Sequence, residues 1–62
     1  MNKLGKTIKE KNIKQVELAR HLGVSKQRVH NWIRGKYMPS ADLIKPISAY
    51  LNIPIDELFF ND

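Results

Sequence analysis

The chain has 62 residues, with 11 Lys and Arg against 6 Asp and Glu, a net charge of +5 and no cysteine. Such a length makes one domain with a small core, and the lack of thiols excludes disulfides and zinc–thiolate sites as support for it. The two histidines, His21 and His30, are too few and wrongly spaced for a helical ligand pair, so neither metal nor cofactor is expected.

The apolar spacing is helical throughout, with no strand pattern, internal repeat or low-complexity segment. Leu4 and Ile8, four apart, mark the buried stripe of a first helix from about Asn2 to Lys11, after which Asn12 and Ile13 turn the chain. From Gln15 to Leu22 the positions of Val16, Leu18, Ala19 and Leu22 suit a second helix, stopped by Gly23 in a left-handed conformation. Val24 plugs the turn. Ser25 is a good N-cap for a third helix that carries Val29, Trp32 and Ile33 on one side and stops at Gly35. KYMP is a loop, because Pro39 and the residue before it are poor helix formers. A fourth helix reaches Leu51 but contains Pro46, and an interior proline costs roughly 3 kcal/mol. Either Ser40 caps it and the helix kinks, or Asp42 is the cap, so that Pro46 falls close to the first turn, where few amide hydrogens have partners to lose. The later start is expected. NIPIDELFF closes with a short fifth helix from about Ile55. There is no signal peptide or membrane-spanning pattern, so a cytoplasmic protein is expected.

The second helix, a turn built on Gly23 and Val24, and the third helix make a helix-turn-helix arrangement. Here QVELARHLGVSKQRVHNWIRGKYMPS resembles the Cro/CI-type (XRE) family of DNA-binding domains. The resemblance is carried by Gln15 with Leu18 and Ala19, by Leu22-Gly23-Val24-Ser25, by Val29 and Trp32, and by Gly35-Lys36 and Pro39-Ser40. The tail YLNIPIDELF is similar to the family's last two helices, so nearly the whole chain is covered. This resemblance implies an all-α, compact five-helix domain of lambda-repressor-like type over residues 1–62, with the helix-turn-helix at about 15–34. It also implies sequence-specific binding of double-stranded DNA by a small transcriptional regulator, a repressor, working at the nucleoid.

At about 100° per residue, Val29, Trp32 and Ile33 point one way, while Gln27, Asn31 and Arg34 point roughly opposite. His30 and Arg28 lie on the flanks, and Lys26 sits at the open N-terminal end. No acidic residue occurs between Arg20 and Asp42. Amides pair bidentately with adenine, and Lys or Arg does so with guanine. By the resemblance, Lys26, Gln27 and Asn31 occupy base-reading positions, with Arg28 beside them. Gln15, Ser25, Lys36 and Tyr37 match positions that touch phosphates, and Lys14, His30 and Arg34 join that set.

A polar face opposite a core stripe is ordinarily just solvated. Here, however, Lys26 and Arg28 stand in the first turn of the third helix, where the macrodipole favours carboxylates and each cation costs about 0.3–1 kcal/mol. Arg28 also replaces the glutamate of a capping box begun by Ser25, and Lys14 stands where the family usually has a Ser or Thr cap. A phosphate backbone against those helix ends reverses the sign of the penalty.

Many members of the family pair an arginine in the first helix with a glutamate at the end of the recognition helix. Ile8 and Ile33 hold those positions, which implies a direct apolar contact in place of the ion pair, unless the two isoleucines merely sit in separate parts of the core. Trp32 is expected in the core or at its edge, the latter with its indole N–H toward a phosphate. His21 is expected in solvent, and Tyr50 in packing. No catalytic constellation is visible, so no enzyme is expected, and no small-molecule ligand or membrane partner is evident. The family usually binds as a homodimer on a near-palindromic operator, with half-sites about 34–36 Å apart. Leu58, Phe59 and Phe60, the candidate dimer-interface residues, form an apolar cluster of which one or two can face the core: either the remaining aromatic, Phe59 or Phe60, makes a two-fold contact, or both aromatics complete a small core. The alternative is a protein-interaction module, an antitoxin or anti-repressor partner, on the same fold.

Overall fold

In the computed structural model, which describes residues 2–60 and the side chains as far as Phe59, five helical segments follow one another. They are α1 (Leu4–Glu10), α2 (Gln15–Leu22), α3 (Lys26–Ile33), α4 (Ala41–Leu51) and a short terminal turn of π type, α5 (Asp56–Phe60). The described residues contain no strand, in agreement with the all-α expectation. No described helix is long and apolar enough to cross a membrane.

α1 to α4 all stop at a residue with positive φ: Asn12 (58°), Gly23 (72°), Gly35 (77°) and Asn52 (58°). After α1, α2 and α3 the amide one residue further on reaches back five residues: Ile13 N–H to Ile8 O (2.8 Å), Val24 N–H to Ala19 O (3.0 Å) and Lys36 N–H to Asn31 O (2.9 Å). This double-bonded stop satisfies carbonyls that would otherwise lack partners, and it normally brings an apolar residue back onto the helix. Ile13, Val24 and, after α4, Ile53 do so, each packing against the core. After α3 the equivalent residue is Lys36, which is exposed.

The core draws on every element: Leu4 and Ile8 from α1, Leu18 and Ala19 from α2, Val29 and Trp32 from α3, Ile47 and Leu51 from α4, Leu58 and Phe59 from α5. Burying a large apolar side chain is worth about 1.5–3 kcal/mol, so no single helix can hold its place without the others. The start of α1 meets α5 where the Lys3 N–H donates to Leu58 O at 2.9 Å. Asn2 ties the same region to α3: its amide donates to Trp32 O at 2.8 Å, while its Oδ1 accepts from the Leu4 N–H at 3.0 Å.

Several expectations need correction. α4 begins at Ala41 with Ser40 rather than Asp42 as its N-cap, and Pro46 lies inside it. Ser40 O accepts from the Leu43 and Ile44 amides at 2.9 and 3.1 Å, and Asp42 occupies the first turn, where the macrodipole favours a carboxylate. The missing amide of Pro46 costs one bond to the carbonyl four residues back, but Pro46 and Asp42 both lie on the exposed side, so that carbonyl is not buried without a partner. Leu58 is wholly buried and Phe59 is 8% exposed, so both belong to this chain's own core rather than to a two-fold contact. The Phe60 side chain lies outside the described residues. Trp32 is in the core, the first of its two expected places, and only the edge alternative falls: its buried Nε1–H is not open to a phosphate and finds no acceptor among the described residues.

Gly5 was not singled out from the sequence. A Cβ placed on it would lie 2.8 Å from Ile33 Cγ2, which shows how closely α1 and α3 approach. Ile33 is thus seated on Gly5, while Ile8 and Ile33 line one shared concavity.

Candidate nucleic-acid interface

The recognition geometry starts at the turn. Gly23 takes the left-handed conformation, Val24 folds under, and Ser25 in an extended conformation caps α3 by accepting the Arg28 N–H on Oγ at 3.1 Å. The first turn of α3 contains no acidic residue. Lys26, Gln27, Arg28, His30 and Arg34 are all exposed.

Their directions differ. Lys26 and His30 turn toward α1, where together with Lys9, Lys14, Gln15 and Ile33 they line an open concavity of about 800 Å³. Its floor is apolar (Ile8, Ile13), and no acidic residue is among those that line it. The N-terminus of α2, at Lys14 and Gln15, and that of α3, at Lys26, therefore border the same space. Two helix N-termini with cationic side chains present free amides and positive potential together, a combination suited to phosphate oxygens. Lys9 is an addition to the expected set; it lies one turn past Gly5 on α1, and the helical period alone could have shown that it shares that side.

Lys14 caps α2 only in part. Its backbone N–H donates to Glu17 Oε1 at 2.9 Å, but an ammonium cannot accept a bond from the helix amides in return. The Glu17 amide, which a Ser or Thr cap would have served, donates instead to the Lys14 carbonyl at 3.0 Å, and the Glu17 carboxylate is held close to the Lys14 backbone.

Arg28 turns to the other flank. Its guanidinium carbon lies 6.0 Å from the Trp32 ring centroid, the outer limit of a cation–π contact. It also acts on Asp42: the Ser40 hydroxyl, the Asp42 backbone N–H and then the Arg28 charge hold that carboxyl below its usual value of 3.8. The Ser40 hydroxyl donates directly to Asp42 Oδ1. Arg28 is therefore shared between the exposed face of α3 and the start of α4.

Asn31 departs most from expectation. The helical wheel sets it beside Gln27 and Arg34 on the open side, yet it is only 7% exposed, the one buried polar residue among those described. Gly35 reverses the chain, the Lys36 N–H closes onto Asn31 O, and Tyr37 follows over the amide. Asn31 Nδ2 donates to the Tyr37 hydroxyl at 3.3 Å, and Gln27 Nε2 donates to Asn31 Oδ1 at 3.4 Å. The i, i+4 spacing of Gln27 and Asn31 was a visible signal for the second bond; the first depends on the loop. Tyr37 is itself 44% exposed. On the far side His21 stacks on Tyr50, with centroids 4.2 Å apart and planes at 27°, so His21 is not merely solvated.

A family model described as helix-turn-helix matches residues 4–58. The HTH-type transcriptional activator BcrR of Enterococcus faecalis is 40% identical over 48 residues, covering 77% of this chain and 24% of that protein. The chain thus spans about a quarter of the activator's length. The ImmF control region 10 kDa protein of Bacillus phage phi105 is 35% identical over 60 residues, 90% of this chain and 67% of that one. An HTH-type transcriptional regulator from Methanocaldococcus jannaschii is 38% identical over 48 residues, 77% of this chain and 73% of that one. A crystal structure from Bacteroides fragilis, described as that of a candidate DNA-binding protein, superposes with a TM-score of 0.85 at 26% identity and 94% coverage of both chains.

Proposed function

The chain belongs to the XRE-type helix-turn-helix family, and from that premise we propose that it is a transcriptional regulator that reads a specific double-stranded site with α3 in the major groove. The observation that carries this reading is the meeting of two cation-bearing helix N-termini, Lys14–Gln15 of α2 and Lys26 of α3, on one concavity free of acidic residues. Cations there destabilise the isolated helices, and a sugar–phosphate backbone turns that cost into binding energy.

In this assignment Lys26 and Gln27 meet base edges, and Arg28 reaches them from the flank that it shares with Asp42. Lys14, Gln15, Ser25, His30 and Arg34 meet the backbone along the turn and α3, joined by Lys9 from α1. Lys36 and Tyr37 meet it beyond the C-terminal end of α3. Lys36 stands where the other stops place an apolar residue, and exposure at that position suits an anionic partner better than a core. One domain covers few base pairs, so two copies on a near-palindromic operator complete the site and repress by occluding it. Since Leu58 and Phe59 are committed to the core, the two-fold contact draws on other residues; Met38, 45% exposed, is the most open large apolar side chain among those described.

Selection from a random duplex library tests this reading. The expected product is a repeated half-site with centres about 34–36 Å apart. On the selected site, log affinity should fall with log salt at about −0.9 per phosphate contact, or roughly −2.7 to −4.5 per half-site for three to five contacts. No enriched sequence together with a flat salt dependence rejects DNA reading and leaves the protein-interaction module.

A further inference from the structure

We infer that Tyr37 and Asn31 act as a polarity relay that makes Gln27 select adenine over guanine, with the Tyr37 hydroxyl contact to a phosphate setting the sense of the relay. The inference rests on the major-groove placement of α3 proposed above. Its basis is the chain of bonds from Tyr37 through the buried Asn31 amide to Gln27, at 3.3 and 3.4 Å.

A side-chain amide has one acceptor end and one donor end. Asn31, 7% exposed and enclosed between Tyr37 and Gln27, has little freedom to satisfy them elsewhere. In the observed sense its Nδ2 donates to the Tyr37 oxygen, which leaves Oδ1 to accept from Gln27 Nε2. Gln27 then keeps one N–H and its Oε1 unused. That pair is complementary to adenine, whose N7 accepts and whose N6 donates. It is wrong for guanine, whose N7 and O6 both accept.

The opposite sense has the opposite result. If Asn31 turned its oxygen to Tyr37, its Nδ2 would face Gln27, occupy Gln27 Oε1 and leave two N–H donors outward, a match for guanine. What distinguishes the two senses is the Tyr37 proton. In the observed sense the hydroxyl accepts from Asn31 and its own hydrogen is free; in the other the hydrogen is spent on Asn31. Tyr37 is 44% exposed, beside Lys36 at the end of α3, so its free hydrogen is available to a phosphate oxygen. A phosphate oxygen at that point accepts a hydrogen bond from the Tyr37 hydroxyl and thereby holds the relay in the adenine-reading sense. A backbone contact, normally silent about sequence, then carries sequence information. Asn31 and Tyr37 are positioning residues here, and Gln27 is the reader.

The test uses the full chain and duplexes differing only in the base pair opposite Gln27, adenine or guanine, with folding of each variant checked by circular dichroism. The unaltered protein should prefer adenine by about five-fold to 150-fold, the range of one bidentate pair. Tyr37→Phe keeps the ring over Asn31 but removes the hydroxyl; the preference should fall to within about three-fold, with the guanine duplex gaining in absolute affinity. Asn31→Asp supplies acceptors only, so Gln27 must still donate inward; affinity should drop for both duplexes while the adenine preference persists. Tyr37→Phe with full discrimination, or Asn31→Asp with none, overturns the relay. Gln27→Ala separates the levels: if it abolishes the preference while Tyr37→Phe does not, only the relay fails. If Gln27→Ala leaves the preference intact, the placement of α3 fails, and the relay with it.

Discussion

Replacing Gly5 by alanine sets two effects of known size against each other. In a helix interior alanine is favoured over glycine by about 0.8–1.0 kcal/mol, and since Gly5 is the second residue of α1 that figure is the upper limit of what Gly5→Ala would gain on an open surface. At this position the new Cβ lies 2.8 Å from Ile33 Cγ2, whereas ordinary carbon contacts are about 3.5–4.0 Å. The methyl cannot swing aside, because it is bonded to the Cβ of a branched residue, whose χ1 is nearly fixed in a helix. α1 and α3 must therefore separate, at the roughly 1–3 kcal/mol typical of overpacking. The net expectation is a loss of about 0–2 kcal/mol, with about 4–8 °C in Tm for each kcal/mol in a domain of this size. Ile33→Leu removes Cγ2 and leaves Ile33's Cβ position, 3.9 Å away, in ordinary contact. In that background Gly5→Ala should stabilise by up to about 1 kcal/mol. Thermal melts of the four proteins in this cycle give the coupling, expected at about 1–3 kcal/mol. If Gly5→Ala changes stability equally in both backgrounds, within about 0.5 kcal/mol, the close approach of α1 and α3 is not what requires glycine.

Other outcomes follow from single contacts. Leu58→Ala should destabilise the domain by about 2–5 kcal/mol as a core cavity; a dimerisation defect at unchanged Tm would instead restore Leu58 to an interface. Ser25→Ala removes the acceptor for the Arg28 N–H and should cost about 1 kcal/mol in denaturant unfolding, with no loss if the cap bond is idle. The Asp42 carboxyl is held below 3.8 chiefly by the Ser40 hydroxyl, so the folded state favours its charged form. The resulting stabilisation is complete above about 3.8 and lost as pH falls through the lower folded value. A proton-NMR titration should show Ser40→Ala moving the Asp42 midpoint upward, and an unmoved midpoint removes the hydroxyl as its cause. Lys36→Ala should weaken selected and unselected duplexes alike and reduce the salt slope by about 1; a sequence-dependent loss would make Lys36 a base reader.

Much of this architecture is written locally. Ser25 caps α3 and the glycines at 23 and 35 stop α2 and α3 where expected, because caps and left-handed stops are satisfied by neighbours within five residues. The core stripes were legible too, since the spacing of Leu18, Val29 and Trp32 obeys the helical period whatever packs against it. The misplaced features all depend on distant chain. The start of α4 at Ala41 depends on Pro46 falling on the exposed side, and nothing in the local pattern shows which side the rest of the chain covers. Leu58 and Phe59 enter the core because α5 returns to α1, closed by the Lys3 bond to Leu58. Gly5 matters only because Ile33, far along the chain, lies against it. Asn31 obeys the helical wheel, yet the loop after Gly35 folds Tyr37 over it. Local spacing determines which side of a helix a residue is on; only the return of other chain segments decides whether that side is covered, because burial belongs to the whole packed surface and not to any one helix.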